Sequence, residues 1–339
     1  MNLALCVGPF DIPSDADLAL LRRALALAPQ CVVAIAGACL PRSPRHPFTW
    51  QERAELLLQA LSSEERARVR MRPLRQWWDP ARTAADLAQS IPAQAPVLLL
   101  RGPEAPALEA PPHWQEYPVG ADAAAPSPQR LRELLFGAGA PAAAAEGLRG
   151  QVPANVHAFL ERWTHEPAFR TLRAEHAQIA AEQAAWSVAP YPVVLVTVDV
   201  VLRCAGHVLL VRRGRSPGKG LYALPGGFLD PGETLRDGAL RELLEETRLP
   251  LPPHELHAAL RCVRVFDAPE RSQRGRVITH AHYLDLGDAP LPPVSGADDA
   301  AAAEWVPNDS LPALEDRFLD DHFHVLEQFL PLSRVPLPT

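Results

Sequence analysis

Residues 227–249 read GFLDPGETLRDGALRELLEETRL, from Gly227 to Leu249, directly after Pro225-Gly226. Ala239–Arg248 consists of helix-forming residues, so Glu242, Glu245 and Glu246 fall at i, i+3 and i+4 on one helical face. Three carboxylates so placed repel one another unless a hard cation joins them. A donor set of oxygens, without His or Cys, suits Mg²⁺ or Mn²⁺. Arg241 can reach Glu245 at i+4 and, across the loop, Glu233, which suits it to holding carboxylate geometry. Gly226-Gly227 has no side chains, so a backbone carbonyl can approach the same ion. A solvated acidic helix laced with Glu/Arg pairs is the bland alternative. The Pro-Gly-Gly turn and the spacing from Glu233 argue for chemistry instead.

A glycine, five residues, Glu233, seven residues and then Arg241-Glu242-Leu243-Leu244-Glu245-Glu246 closely resembles the Nudix box. One position departs: Arg248 stands where the family has glycine, so the end of the helix is expected to differ. The resemblance implies an α+β Nudix-fold domain that hydrolyses a diphosphate linked to another moiety, with metal ions neutralising phosphate and activating water. It also implies Glu245, Arg241 and Glu233 as the catalytic set and Gly226, Glu242, Glu245 and Glu246 as metal ligands. Glu245 is one candidate for the group that activates water. Asp298, Asp299 and Glu304 are others, in an Ala-rich segment expected to be a mobile loop, and each reads equally as a solvated charge.

Downstream, Val265–Ala281 reads VFDAPERSQRGRVITHA, similar to a stretch of ADP-ribose-type Nudix proteins of NAD metabolism. Arg271, Arg274 and Arg276 would offer guanidinium forks to phosphate oxygens, Phe266 could stack on a base, and His280 completes the implied substrate-binding set. The alternative is a charged hairpin loop leading into a strand. Three arginines within six residues of an acidic region weigh against it.

Working back toward the N-terminus, Leu3–Val7 reads as a buried strand ending at Gly8-Pro9-Phe10, Leu18–Leu27 as a helix, and Cys31–Ala36 as a second buried strand. Thr49–Leu61 reads as a helix with Thr49 as N-cap and Glu52 three residues on, and Pro96–Leu100 as a third strand. Strand-helix-strand order points to an open α/β parallel sheet. From Leu3 to Leu330 the chain resembles nicotinamide-mononucleotide adenylyltransferases fused to a Nudix domain, which implies a Rossmann-like nucleotidyltransferase domain. Arg42–Arg53 carries the match, together with Ser127 and Arg132, although Gln129 replaces a threonine. Gly8–Asp17 departs from the family: Ser14 and Asp17 occupy its two histidine positions, and Asp11, Asp15 and Asp17 crowd negative charge where a triphosphate would sit. Adenylyl transfer is expected to fall by orders of magnitude, leaving the domain as scaffold, nucleotide-binding module or homodimer partner, with residual adenylyltransferase activity as the alternative.

The Ala/Gly/Pro-rich stretch 137–150 is the linker candidate. It divides the chain into a nucleotidyltransferase-like domain (1–150), a helical connector (151–188, with Asn155–Trp186 read as helix) and a Nudix domain (189–339). In the last, Val193–Leu202 and His207–Val211 read as strands. Composition agrees with two unlike halves. Of 339 residues, 47% are hydrophobic and 22% charged, which excludes disorder; the 37 prolines lack a Gly-X-Y period, which excludes collagen. Residues 1–150 hold 15 Lys+Arg against 15 Asp+Glu, and residues 151–339 hold 18 against 25, so all of the net −7 lies in the second part. An acidic region argues against nucleic acid as partner but not against a metal-bound nucleotide diphosphate. Five cysteines without zinc spacing suggest a reduced, cytoplasmic protein, and no apolar run approaches a bilayer span. Three readings follow: an Mg²⁺-dependent ADP-ribose pyrophosphatase yielding AMP and ribose 5-phosphate, a hydrolase of NADH or a nucleoside triphosphate, and a non-catalytic ADP-ribose or NAD sensor.

Overall fold

The apolar run after the N-terminus becomes β1 (Leu3–Gly8), whose residues Ala4–Val7 are fully buried. In this computed structural model residues 3–89, 91, 96–119, 125–137 and 139–337 are described. Met1, Asn2 and Ala138, which fall within the sequence readings above, lie outside them. The chain divides into two compact units, Met1–Ala177 with Pro336–Thr339, and Gln178–Val335.

In the first unit β1 is followed by α1 (Asp15–Leu27), β2 (Gln30–Ile35), α2 (Trp50–Gln59), α3 (Ser63–Ala67), β3 (Val69–Pro73), α4 (Pro80–Ala88), β4 (Val97–Arg101) and β5 (Trp114–Glu116). The strands form one sheet in the order β3-β2-β1-β4-β5, with every pairing parallel, as a buried βαβ pattern requires. Thr49 caps α2 as expected, accepting from the Glu52 N–H while Glu52 returns a bond to the Thr49 N–H. Sequence reading passed over β3, whose Arg70 and Arg72 interrupt the apolar signal of an edge strand.

Residues 137–150 are not a linker. They include the end of α5 (Pro128–Gly137) and all of α6 (Pro141–Glu146), and Ala144, Ala145 and Leu148 are buried beside Leu135 and Phe136. Alanine suits helix as well as loop, and small side chains let these helices pack closely. The expected connector helix is likewise two helices, α7 (Ala154–Trp163) and α8 (Pro167–Trp186), separated just before Pro167. Val156, Leu160, Trp163, Phe169 and Leu172 join that same core, so most of 151–188 belongs to the first unit and the division falls inside α8.

The second unit contains β6 (Val194–Cys204), β7 (His207–Arg213), β8 (Tyr222–Ala223), β9 (Gly226–Phe228), α9 (Leu235–Thr247), α10 (Pro253–Ala259), β10 (Leu260–Phe266), β11 (Arg276–Asp285), β12 (Ala300–Pro307), a 3₁₀ segment (Asn308–Arg317) and α11 (His322–Glu327). The sheet runs β10-β11-β6-β7-β12, with β8 on β7 and β9 on β6. It is mixed, since β6 and β11 are parallel and the remaining pairs antiparallel. One face packs on α9 through Val198, Val200, Leu240 and Leu243, and the other on α11 through Val201, Ala281, Phe323 and Leu326.

Candidate active site

Thr234 starts α9 by accepting from the Asp237 N–H at 3.2 Å, and the buried stripe Ala239, Leu240 and Leu243 fixes the rotation of the helix on the sheet. That rotation settles the three glutamates differently. Glu246 lies beside the stripe and is buried, with its Oε2 accepting from the Gly226 N–H at 3.0 Å. Burial pushes its carboxyl up to about 8, and the nearby Glu242 and Asp199 add to the shift. Glu242 is half-buried and also raised by burial. Glu245 is the most exposed of the three, its side chain 50% accessible.

Arg241 gathers the acids as the spacing implied. It donates to Glu233 at 2.7 and 3.0 Å, to Glu242 at 2.9 Å, to Glu245 at 3.0 Å and to the Phe228 carbonyl at 3.3 Å. The bond from Arg241 holds the Glu233 carboxyl below its ordinary range. Because Arg241 draws Glu242 and Glu245 to itself, no three His, Cys, Asp or Glu side chains among the described residues converge as a ready-made metal cage.

The donors nevertheless fit a hard divalent cation. A Cβ on Gly227 would stand 2.5 Å from Glu242 Oε1, and one on Gly226 would stand 2.2 Å from the Val198 carbonyl. Only glycines let β9 lie this close to both the helix carboxylate and β6. Among the described residues the Glu246 carboxylate has one hydrogen bond, from a backbone N–H, so two raised carboxyls and the Gly226 backbone form an oxygen-lined corner. Arg248, at φ +49° and ψ 34°, ends α9 in the left-handed conformation with its N–H on the Leu244 carbonyl. The turn that glycine makes in the family is therefore kept here by an arginine, which carries the steric cost of a Cβ.

A cleft opens on this corner, lined by Gly226, Glu246, Phe228, Arg213 and Arg274 among others. Of the sequence-derived substrate residues, Arg274 belongs to it: its guanidinium carbon lies 4.5 Å from the Phe228 ring centre and its Nε donates to Glu182 at 3.0 Å. Arg271 also borders the cleft but is buried, and the Nε and Nη2 edge of its guanidinium is taken by Asp321 at 2.9 and 2.7 Å. Arg276 donates to the Asp267 carbonyl. Phe266 does not await a base, because it packs against His324 and Phe329 in the core. His280 is also misplaced by the sequence reading: Val277 borders the cleft, Thr279 on the same face donates to Asp199, and strand alternation puts His280 on the opposite face.

The segment carrying Asp298 and Asp299 is held rather than loose. The Ser295 and Ala297 N–H groups donate to the Thr247 and Glu246 carbonyls, Asp299 pairs with Arg215 at 2.8 Å, and Glu304 lies within β12 on Arg212 at 3.1 Å. Sequence reading missed Asp199, Arg213 and His322. Asp199 had a signal, being a lone acid in the apolar run of β6, where it is buried with a raised carboxyl and donated to by Thr279. Arg213 sits at the end of β7 and donates to the Pro217 carbonyl at 2.9 Å.

The NUDIX domain model matches residues 194–329. The ADP-ribose pyrophosphatase of Methanocaldococcus jannaschii is 33% identical over 135 residues, 40% of this chain and 72% of that protein. The chain belongs to the Nudix family. Its Nudix unit is preceded by a region, residues 5–116, that matches the Cytidylyltransferase-like model. A crystal structure of a bifunctional NMN adenylyltransferase/ADP ribose pyrophosphatase from Francisella tularensis superposes with a TM-score of 0.81 at 23% identity, covering 97% of this chain and 98% of that one. A second structure of that protein, complexed with AMP and MN ion, gives 0.79 at 22% identity, with the same coverage. These two likenesses establish the shared fold. No helix among the described residues is long and apolar enough to cross a membrane.

Proposed function

We propose that the Nudix unit hydrolyses the diphosphate of ADP-ribose to AMP and ribose 5-phosphate with Mg²⁺ as cofactor. The observation that carries this reading is the joining of Arg213 and Arg274 to the Gly226–Glu246 corner in a single cleft, cationic forks beside an acidic corner. The relative from Methanocaldococcus and the AMP complex of the Francisella neighbour agree with it. Glu242, Glu246 and the Gly226 carbonyl would hold the ion, with Glu245 as a further ligand. Bound there, a divalent cation neutralises phosphate charge and lowers the pKa of water. Arg274, backed by Phe228, and Arg213 bind phosphate oxygens. Arg241 keeps Glu233, Glu242 and Glu245 oriented, and Glu245, the most accessible carboxylate, takes the proton of the attacking water.

The first unit is, on the same proposal, without adenylyltransferase activity. Ser14 and Asp17, at the family's histidine positions, serve as a capping box for α1: Ser14 Oγ accepts from the Asp17 N–H and Asp17 Oδ2 accepts from the Ser14 N–H at 2.9 Å. Neither offers a donor to a triphosphate.

One assay tests both statements. ADP-ribose, NADH, NAD and nucleoside triphosphates are incubated over a range of Mg²⁺, and ATP with the mononucleotide separately. ADP-ribose should be the preferred substrate, Glu246→Gln should lower kcat about 10³-fold, and no NAD should form. Preference for a triphosphate would sink the substrate assignment, and tight ADP-ribose binding without turnover would favour a sensor.

A further inference from the structure

His322 opens α11 and is 9% exposed, yet it borders the same cleft as Arg213, Arg274 and Glu246. Its Nδ1 accepts the Leu224 N–H at 2.9 Å, so that nitrogen is unprotonated and the ring proton resides on Nε2. Leu224 is two residues before Gly226, so the imidazole is anchored to the backbone segment that forms the acidic corner. Its neighbours are engaged elsewhere: both oxygens of Asp321 are on Arg271, and Asp320 is hydrogen-bonded by Ser272. The Nε2–H makes no hydrogen bond to a described residue.

We propose that the His322 Nε2–H donates a hydrogen bond to a diphosphate oxygen of the ligand, making His322 a substrate-binding residue of the cleft. This rests on the hydrolase reading above. An N–H on the cleft wall with no acceptor among the described residues is open to a ligand, and an anionic oxygen entering the cleft would accept from it more strongly than water does. Burial pushes the imidazole down to about 3, so it works as an uncharged donor throughout the neutral range. Beside Arg213 and Arg274 it adds direction rather than charge, since an imidazole N–H has one line of approach.

Two substitutions separate this role from anchorage of Leu224. In His322→Asn the amide oxygen takes the place of Nδ1 and keeps the anchor, but nothing reaches the position of Nε2. His322→Gln carries an N–H to that position and gives up the anchor. The expected result is a ten- to thirtyfold loss of kcat/KM for ADP-ribose in H322N with Tm little changed, and recovery of most of it in H322Q. H322N equal to wild type, or H322Q worse than H322N, would overturn the donor and leave an anchor.

A readout independent of folding in the variants uses the wild-type chain. With ¹⁵N-labelled histidine, the His322 Nε2–H resonance should move downfield when ADP-ribose is added without Mg²⁺. Turnover with no such shift overturns the donor alone. A shift without any turnover on adding Mg²⁺ overturns the hydrolase reading and leaves the donor standing.

Discussion

Each unit gathers acids around one helix, α1 in the first and α9 in the second, and the two dispose of the charge differently. In the first, Asp17 completes the capping box of Ser14 at the start of α1, and Asp11 is buried against His46 at 2.8 Å, Arg53 at 3.3 Å and Arg132 at 3.8 Å. Burial alone would raise Asp11, but His46, Arg53 and Arg132 together bring it below its ordinary range. In the second, Arg241 neutralises part of the set, and Glu246 is left with one backbone N–H and a raised carboxyl. The lesson is that the corner around Glu246 keeps acid charge that side-chain cations do not fully offset, which is what the proposed metal site requires. Asp11 is structural because His46, Arg53 and Arg132 offset its charge, and Asp17, although raised to about 6 by burial, because the Ser14 N–H and hydroxyl tie it to the start of α1.

The contrast breaks most visibly at Asp11. Asp11→Ala leaves Arg53, 1% exposed, without its counter-charge, and should destabilise the first unit by about 3 kcal/mol. Urea unfolding measures this, and ADP-ribose hydrolysis per folded molecule should be unchanged; a matching loss of activity would mean that the acids of the first unit serve the reaction.

A smaller effect sharpens the other side. Glu246 is pushed from 4.5 to about 8 on folding, so the native chain retains a proton that the unfolded chain has lost between those values. Its contribution to stability is complete below about pH 4.5 and disappears as pH rises to 8. Asp17 and Asp320, raised to about 6, act the same way only up to that pH. Metal-free wild type should therefore lose Tm relative to Glu246→Gln between pH 6 and 8, and millimolar Mg²⁺ should reverse the trend. Parallel curves would show that Glu246 is not the uncompensated acid.

The smallest effect concerns the end of α9. Arg248→Gly relieves a left-handed non-glycine residue, φ +49°, and should raise stability by about 0.5–1 kcal/mol with kcat unchanged. A fall in Tm would mean that the arginine side chain contributes more than its backbone costs.

Legibility followed the range of the interactions. The capping of α2, the parallel βαβ unit, α9 and the Arg241 carboxylate network depend on residues a few positions apart or on strong local periodicity, and these were readable. The segment 137–150 was misread because alanine-rich composition does not distinguish a loop from a helix that packs; the burial of Ala144 against helices from elsewhere does. Phe266 and His280 carried the right chemical types in the right motif. Their positions on core and strand faces were set by the pairing of β10, β11 and β6.

From residues in a row came the family, the two kinds of fold and the acidic helix, because i, i+3 and i+4 spacing, caps and glycine turns are local properties of the chain. Folding assigned the roles within those patterns. It buried Glu246, exposed Glu245, closed Arg271 on an acid fifty residues away and brought His322 to Leu224 across 98 residues. Burial and partnership between distant segments shift a pKa or free a donor, and neither is written in the spacing of neighbours.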